Sequence, residues 1–224
     1  MSRPMFPPDL AGRLHDAGFI AVLVLEDATA AVPLARALVD GGVRAIELTL
    51  RTPAALHAFR RIRAEVPEMI AGVGTILTPQ QAREVHAAGA AFGVAPGGNP
   101  RVIATARELG LPFAPGVCTP TELELAVEQG CRWLKFFPAE PSGGVEYLRS
   151  VTAPLAHLGI RWIPLGGIDA GNMAAYLREP AVAAVGGSWV TPKRLIDGED
   201  WDAIGTLAEQ ASRIVAHTRQ EIPT

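Results

Sequence analysis

Residues 44–53 read Arg44-Ala45-Ile46-Glu47-Leu48-Thr49-Leu50-Arg51-Thr52-Pro53. They contain one full copy of the repeating pattern that decides the fold. The alternation of apolar and polar side chains predicts a β-strand with two different faces. The Thr52-Pro53 step predicts the start of a helix, because threonine caps helix N-termini and proline fits the first helical turn. The stretch therefore predicts one strand followed directly by one helix.

The same unit recurs about every 20 to 25 residues along the chain. The predicted strands are 19–25, 44–50, 69–74, 91–95, 112–114, 132–137, 161–165 and 182–185. The predicted helices that follow them are 30–38, 53–65, 79–88, 100–109, 120–129, 145–158, 170–177 and 201–216. Three more cap-and-proline steps begin helices, at Thr78-Pro79, Asn99-Pro100 and Thr119-Pro120.

Eight strand-helix units with short loops predict an α/β fold that closes into a (β/α)8 barrel, a TIM barrel, and an open doubly wound sheet is the alternative. No linker or shift in composition divides the chain, so we expect a single domain over residues 1–224. Residues 7–17 are predicted to form a helix that caps the bottom of the barrel.

Composition excludes several classes of function. With 49% hydrophobic and 19% charged residues, the chain is typical of a well-buried globular protein. The net charge of −3 and the dispersed arginines predict no nucleic-acid partner. The longest apolar run is too short for a membrane span, and residues 1–16 lack the apolar core of a secretory signal. Cys118 and Cys131 have no metal or redox spacing, so we expect free thiols and a cytoplasmic protein.

Lys135 is the first candidate for chemistry. Eighteen of the twenty cationic side chains are arginine, and this rare lysine lies in the apolar run Trp133-Leu134-Lys135-Phe136-Phe137-Pro138. Burying an ammonium group is costly unless it is paired or neutralised. Desolvation favours the free amine, which can attack a carbonyl and form a Schiff base. The alternative is a lysine that extends its amine to water at a strand end.

Glu47 and Arg51 are the next candidates. Strict alternation places them with Thr49 on one face of the second strand, and the inner face of a barrel is an expensive place for charge. They are therefore predicted to be functional or paired with each other. A carboxylate such as Glu47 near Lys135 could carry protons during imine chemistry, and the fork of Arg51 could bind a substrate carboxylate.

Two glycine-rich loops follow the seventh and eighth predicted strands. In barrels these loops often bind phosphate through backbone N–H groups. The candidate phosphate-binding residues are Gly166, Gly167, Gly187 and Ser188.

No metal or organic cofactor is predicted. The histidines, which we expect on the surface, have no metal-ligand pairing, and they are His15, His57, His86, His157 and His217. No dinucleotide fingerprint, phosphate-binding Walker loop or nucleophile elbow is present. Lys193 lies in a polar stretch and is predicted to be solvated.

These motifs together resemble the family of 2-keto-3-deoxy-6-phosphogluconate (KDPG) aldolases, also called 4-hydroxy-2-oxoglutarate (KHG) aldolases. The resemblance runs over nearly the whole chain. Its most specific parts are Glu47-Leu48-Thr49-Leu50-Arg51, Gly72-Val73-Gly74-Thr75, Pro115-Gly116-Val117-Cys118-Thr119-Pro120, Lys135-Phe136-Phe137-Pro138-Ala139-Glu140 and Gly186-Gly187-Ser188-Trp189.

The resemblance implies a class I aldolase on a (β/α)8 barrel that cleaves KDPG to pyruvate and glyceraldehyde 3-phosphate, and that acts also on KHG. It implies Lys135 as the Schiff-base lysine and Glu47 as the general acid and base. It further implies Arg51 and Thr75 as pyruvate-binding residues, Pro96 and Phe137 as walls of the pocket, and Gly166, Gly167, Gly187 and Ser188 as the phosphate site. A homotrimer without metal or cofactor is the implied assembly.

The substrate preference stays open at this point. Leu165 stands where a related enzyme has threonine, which removes a hydroxyl near the distal end of the substrate. Val24-Leu25 stands where the galactonate-specific branch carries arginine, which favours the gluconate. The alternatives are an aldolase for the 6-phosphogalactonate epimer or for an unphosphorylated 4-hydroxy-2-oxoacid. A non-catalytic phosphosugar-binding barrel, in which Lys135 only pairs with charge, is the alternative from another class.

Overall fold

The computed structural model describes residues 5–221, where parallel strands alternate with helices. The strands are β1 (Phe19–Leu23), β2 (Ala45–Thr49), β3 (Ile70–Gly74), β4 (Gly93–Val94), β5 (Phe113–Ala114), β6 (Gly116–Val117), β7 (Trp133–Phe136), β8 (Arg161–Pro164) and β9 (Val185–Gly187). The α-helices are α1 (Pro8–Ala17), α2 (Ala31–Asp40), α3 (Ala55–Glu65), α4 (Pro79–Ala87), α5 (Pro100–Leu109), α6 (Pro120–Glu128), α7 (Gly144–Thr152), α8 (Met173–Leu177), α9 (Lys193–Asp197) and α10 (Trp201–Gln220).

All strand pairings are parallel and form two curled sheets. The larger sheet has the order β5-β4-β3-β2-β1-β9, and the smaller has the order β6-β7-β8. β5 lies within the strand predicted over 112–114, whereas β6 lies beyond it and was not predicted. The two strands flank Pro115, which has no N–H to give to a ladder. Parallel bridges from Trp162 to Val182 and from Leu165 to Gly186 connect the β8 region to the chain around β9. The α/β class is confirmed.

Three of the four cap-and-proline steps begin helices as predicted. The Thr78 side chain accepts a hydrogen bond from the Gln81 N–H while the Gln81 side chain bonds back, and Thr119 and Glu122 form the same reciprocal pair. Asn99 caps α5 through its side-chain oxygen. These caps fix where each helix leaves the end of its strand.

The prediction for the fourth step is wrong. α3 begins at Ala55, and Thr52 does not cap it. The Thr52 hydroxyl donates instead to the Leu25 carbonyl, so it ties the segment after β2 to the segment after β1.

Other boundaries differ from those predicted. The helix predicted over 145–158 ends its α-helical part at Thr152 and continues as a 3-10 helix, Ala153–Leu158, because Pro154 cannot supply the next N–H. The helix predicted over 170–177 begins only at Met173. The last strand lies at Val185–Gly187 rather than over 182–185, because the ladder with β1 starts at Val185. The short helix α9 was not predicted.

The buried side chains form two clusters. The larger packs the helices against the outer face of the strands. The smaller contains inward residues of several strands, such as Ile20, Ile163 and Leu165, together with Leu14 of α1. The ring of Phe6 stacks on that of Trp133 with their centroids 4.6 Å apart. The segment before β1 therefore packs against the side chains that the strands turn inward.

The remaining expectations concern isolated residues. Both cysteines are free, and burial raises the pKa of the Cys131 thiol to about 11. His57, His86, His157 and His217 are exposed as predicted, and His15 on α1 is partly exposed. Lys193 is exposed and pairs with Asp197 in α9.

Within residues 5–221, no helix combines the length and the apolar character needed to cross a membrane.

Candidate active site

Lys135 and Glu47 form a buried ion pair. The Lys135 Nζ lies 3.1 Å from Oε1 and 3.3 Å from Oε2 of Glu47, and the side chains are only 6% and 2% exposed. The amine therefore does not extend to water, and the alternative of a solvated lysine is wrong. The partner of Glu47 is Lys135 rather than Arg51, so the alternative of a structural Glu47–Arg51 pair is also wrong.

Two local features position the pair. The Lys135 N–H donates to the Pro115 carbonyl at 2.9 Å, which places β7 beside the broken strand of β5 and β6. Gly74 on β3 makes room for the carboxylate, because a Cβ on Gly74 would lie 1.9 Å from Oε1 of Glu47. The glycine at this position is therefore required by the carboxylate of the neighbouring strand.

Thr75 occupies a strained backbone position directly after Gly74. Its φ angle is +59°, in the left-handed region that a β-branched residue rarely adopts. Such strain typically costs about 1–3 kcal/mol and concentrates at functional sites. No local sequence signal indicates this conformation, and only the family resemblance places Thr75 among the substrate-binding residues.

Thr49 links Arg51 to the strand ends. Its buried hydroxyl donates to the Leu23 carbonyl at 3.0 Å and accepts from Nε of Arg51 at 3.3 Å. The Arg51 side chain is exposed and so leaves its guanidinium open to a ligand. Sequence alternation puts Thr49 on this face, but nothing in the sequence indicates that its hydroxyl orients the arginine.

A cavity of about 350 Å³ lies at the carboxyl ends of β1, β2 and β9. Arg51 and Ser188 both contribute to its lining, together with the buried Thr191. Lys135 and Glu47 do not line it. The structure thus places two predicted substrate-binding residues around one cavity, and the ion pair deeper among the strands.

The predicted glycine loops adopt conformations that glycine favours. Gly166 and Gly167 have φ angles of +98° and +80°, and a Cβ on Gly167 would lie 2.7 Å from the Cβ of Glu140. Gly187 lies in β9 opposite Ala21, where a Cβ would lie 2.8 Å from the Trp189 ring. Sterics alone therefore account for glycine at these positions, and the phosphate role stays a prediction.

The two predicted wall residues lie beside β6 and β7. The Lys135 Nζ is 5.2 Å from the centre of the Phe137 ring. The Pro96 carbonyl comes so close to Gly116 that a Cβ there would lie 2.2 Å from its oxygen. Since Gly116 is paired in register with Lys135, Pro96 lies against the strand next to the amine.

No cluster of three or more histidine, cysteine or acidic side chains that could hold a metal ion is found between residues 5 and 221. The chemistry that the observed residues offer is that of an amine with a carboxylate within proton-transfer distance. A lysine and an acid in contact among parallel strands can act as the nucleophile and the proton carrier of a lyase that forms an imine with its substrate.

The comparisons agree with this class. The family model of the KDPG and KHG aldolases matches residues 10–207, and the chain belongs to this family of lyases.

Relatives of known activity match most of the chain. The 2-dehydro-3-deoxy-phosphogluconate aldolase of Dickeya dadantii is 45% identical over 192 residues, which are 86% of this chain and 89% of that protein. The KHG/KDPG aldolase of Escherichia coli strain K12 is 43% identical over 192 residues, which are 86% of this chain and 89% of that protein. The crystal structure of KDPG aldolase from Legionella pneumophila has a TM-score of 0.84 and 36% identity, over 89% of this chain and 96% of that one. That structure holds pyruvate captured as a covalent carbinolamine intermediate.

Proposed function

We propose that the chain cleaves KDPG to pyruvate and glyceraldehyde 3-phosphate through an imine formed on Lys135. The observation that carries the proposal is the buried contact of 3.1 Å between the Lys135 amine and the Glu47 carboxylate. The pair supplies a nucleophile and a proton carrier to the same carbon atom. Lys135 and Glu47 are therefore the proposed catalytic residues.

The steps follow from this pair. Glu47 first takes a proton from Lys135, and the free amine attacks the C2 ketone. The protonated Glu47 then gives its proton to the departing hydroxyl, so that the carbinolamine loses water and becomes a protonated imine. Glu47, directly or through water, then removes the proton of the C4 hydroxyl. The C3–C4 bond breaks, its electrons pass to the imine, and glyceraldehyde 3-phosphate leaves. Protonation of the remaining enamine at C3, followed by hydrolysis, releases pyruvate and the free lysine.

Arg51 and Thr75 are the proposed partners of the pyruvate end. The guanidinium fork of Arg51 can hold a carboxylate in two hydrogen bonds. Thr75 directly follows Gly74, the residue that faces the Glu47 carboxylate. Phe137 and Pro96 wall this part of the pocket in the proposal, supported by the distance of 5.2 Å between the Lys135 Nζ and the Phe137 ring.

The phosphate end is proposed to bind Gly166, Gly167, Gly187 and Ser188. Ile163 on β8 is level with Lys135, and Gly166 lies three residues further toward the carboxyl end. Three residues of extended chain span about 10 Å, which is the expected separation of the Lys135 backbone from the proposed phosphate site along the strand direction.

Leu165 is expected to leave the distal end of the substrate without a hydrogen-bond partner at this position. Its side chain is 4% exposed and packs over Gly186, where a Cβ would lie 2.5 Å from its Cγ. A buried leucine offers no hydrogen bond to a sugar hydroxyl. We therefore expect Leu165 itself to contribute little to the discrimination between KDPG and its galactonate epimer. Measuring kcat/KM for KDPG, the epimer and KHG ranks the three, and Leu165→Thr should sharpen the ratio between the epimers.

Trapping with borohydride tests the proposed mechanism. Incubation with pyruvate and borohydride should attach a reduced pyruvate to Lys135, which peptide mass spectrometry can locate. The sequence contains only one other lysine, Lys193, which is exposed and ion-paired and serves as an internal control. An unlabelled Lys135 would remove the imine mechanism, and ligand binding without trapping would favour a non-catalytic phosphosugar-binding barrel.

A closed (β/α)8 barrel with α1 across its bottom is the architecture that we propose. The bridge between Leu165 and Gly186 supports closure between β8 and β9, and the single residue Pro115 between β5 and β6 supports continuity at the other junction. The stacking of Phe6 on Trp133 supports the capping helix. A cytoplasmic homotrimer stays a prediction, and analytical ultracentrifugation would measure the assembly.

A further inference from the structure

The segment over residues 138–144, which follows β7, is bound to the Gly166-Gly167 loop through its backbone. The Ala139 N–H donates to the Leu165 carbonyl at 2.7 Å, and the Glu140 N–H donates to the Gly166 carbonyl at 2.9 Å. The segment therefore extends the contact of β7 with β8 beyond the ends of both strands.

The Glu140 side chain is held by a buried tyrosine. The hydroxyl of Tyr176 on α8 donates to Oε1 of Glu140, and Tyr176 is only 1% exposed. Burial, together with this hydrogen bond, raises the pKa of Tyr176 above its usual range, so the hydroxyl keeps its proton. The hydrogen bond fixes an otherwise exposed carboxylate in one orientation.

Glu140 in turn packs directly on the loop. A Cβ on Gly167 would lie 2.7 Å from the Cβ of Glu140, and one on Gly144 would lie 3.4 Å from its Oε1. From the other side, the Asn172 amide donates to the Gly167 carbonyl at 2.9 Å. The loop is thus held between Glu140 and Asn172.

These contacts determine where the loop N–H groups point. The carbonyl and the N–H of a trans peptide point in opposite directions. Because the Gly166 and Gly167 carbonyls are turned toward Glu140 and Asn172, the N–H groups of Gly167 and Ile168 point away from those partners. Neither N–H donates to a backbone acceptor within residues 5–221.

We propose that Tyr176 and Glu140 are positioning residues for phosphate recognition, which hold the Gly166-Gly167 loop with its N–H groups free for the substrate phosphate. The inference rests on the proposed function, since it requires that this loop bind the phosphate. Neither residue touches the reacting carbons, so the amine chemistry on Lys135 is independent of them.

The test compares, in each variant, the binding of phosphorylated ligands with the formation of an imine from pyruvate. For Tyr176→Phe and Glu140→Ala, we expect the KM for KDPG and the inhibition constant of inorganic phosphate to rise about fivefold, as the loss of one hydrogen bond predicts, with little change in kcat. The pyruvate concentration that half-saturates borohydride trapping should stay unchanged. Combining both changes should be no worse than either alone.

The controls separate positioning from general stability. Glu140→Gln keeps an oxygen that accepts from Tyr176 and should retain the wild-type KM. Tyr147→Phe removes the other tyrosine hydroxyl of the chain and should have no effect. An unchanged KM for KDPG in Tyr176→Phe and Glu140→Ala, or an equal loss for KDPG and pyruvate, would overturn the inference. Absence of trapping or of KDPG cleavage in the wild type would instead overturn the proposed function.

Discussion

Lys135 and Glu47 are 88 residues apart and lie in different sheets, yet their side chains meet at 3.1 Å. β2 lies inside the six-stranded sheet and β7 in the centre of the three-stranded sheet. The contact therefore connects the six-stranded sheet to the three-stranded sheet. Removing one partner of a buried ion pair typically costs about 3–5 kcal/mol, so the pair also constrains how the sheets face each other.

Glu47→Gln is expected to lower kcat by about 10²–10⁴-fold, because the amide keeps the shape of the side chain but cannot transfer protons. The amide oxygen can still accept a hydrogen bond from Lys135, so the circular dichroism spectrum should match that of the wild type. Steady-state cleavage of KDPG measures the loss, with Glu124→Gln on the exposed face of α6 as the matched control. Turnover near that of the wild type would exclude Glu47 from proton transfer.

Gly74→Ala is expected to disturb the same carboxylate without changing it chemically. The new Cβ would lie 1.9 Å from Oε1 of Glu47, so the carboxylate must leave the position in which it contacts the Lys135 amine. We expect a loss of kcat of about 10²-fold or more, near the lower bound for Glu47→Gln. Gly12→Ala is the control, because its Cβ meets nothing within 4 Å. Equal activity of Gly74→Ala and wild type would show that the pair tolerates displacement.

The strand-helix repeat could be predicted from the sequence because its signals are local. Alternation in residues 44–53 and the caps at Thr78, Asn99 and Thr119 each depend on a few neighbouring residues. The Thr52 prediction is wrong because a distant carbonyl, that of Leu25, competes for its hydroxyl. The strand predicted over 182–185 is misplaced because pairing with β1, and not local hydrophobicity, determines where the ladder runs.

The candidate site could be predicted only in part for the same reason. An unusual lysine in an apolar run identifies Lys135, and alternation identifies Glu47 and Arg51. The choice of Lys135 over Arg51 as the partner of Glu47 depends on how the two sheets face each other. The roles of Gly74 and of the Tyr176–Glu140 contact likewise arise from packing between segments that are far apart in sequence.

Thr49→Val tests whether the buried hydroxyl orients Arg51. The change keeps the shape but removes the acceptor for Nε of Arg51, 3.3 Å away, and the donor to the Leu23 carbonyl. We expect the KM for KDPG to rise about three- to tenfold with a smaller change in kcat, as the loss of the hydrogen bond that orients Arg51 predicts. Thr105→Val is the control, because that buried hydroxyl bonds only within α5. A fall in kcat with an unchanged KM would contradict this role.

The protonation of His15 is expected to make the thermal stability of the protein depend on pH. Burial, followed by the charges of Arg219 and Arg161, lowers the pKa of His15, and its Nδ1 lies 3.3 Å from the Arg161 guanidinium. The unfolded chain, where the pKa is about 6.5, then binds the proton more readily than the folded protein. The contribution of neutral His15 to the stability of the folded protein is therefore complete above a pH of about 6.5. It is lost as the pH falls through the lower pKa that His15 has in the folded protein. His15→Asn should therefore show a smaller fall in Tm than the wild type between about pH 7.5 and pH 5, whereas His86→Asn on exposed α4 should not. Parallel Tm curves for His15→Asn and the wild type would contradict this assignment.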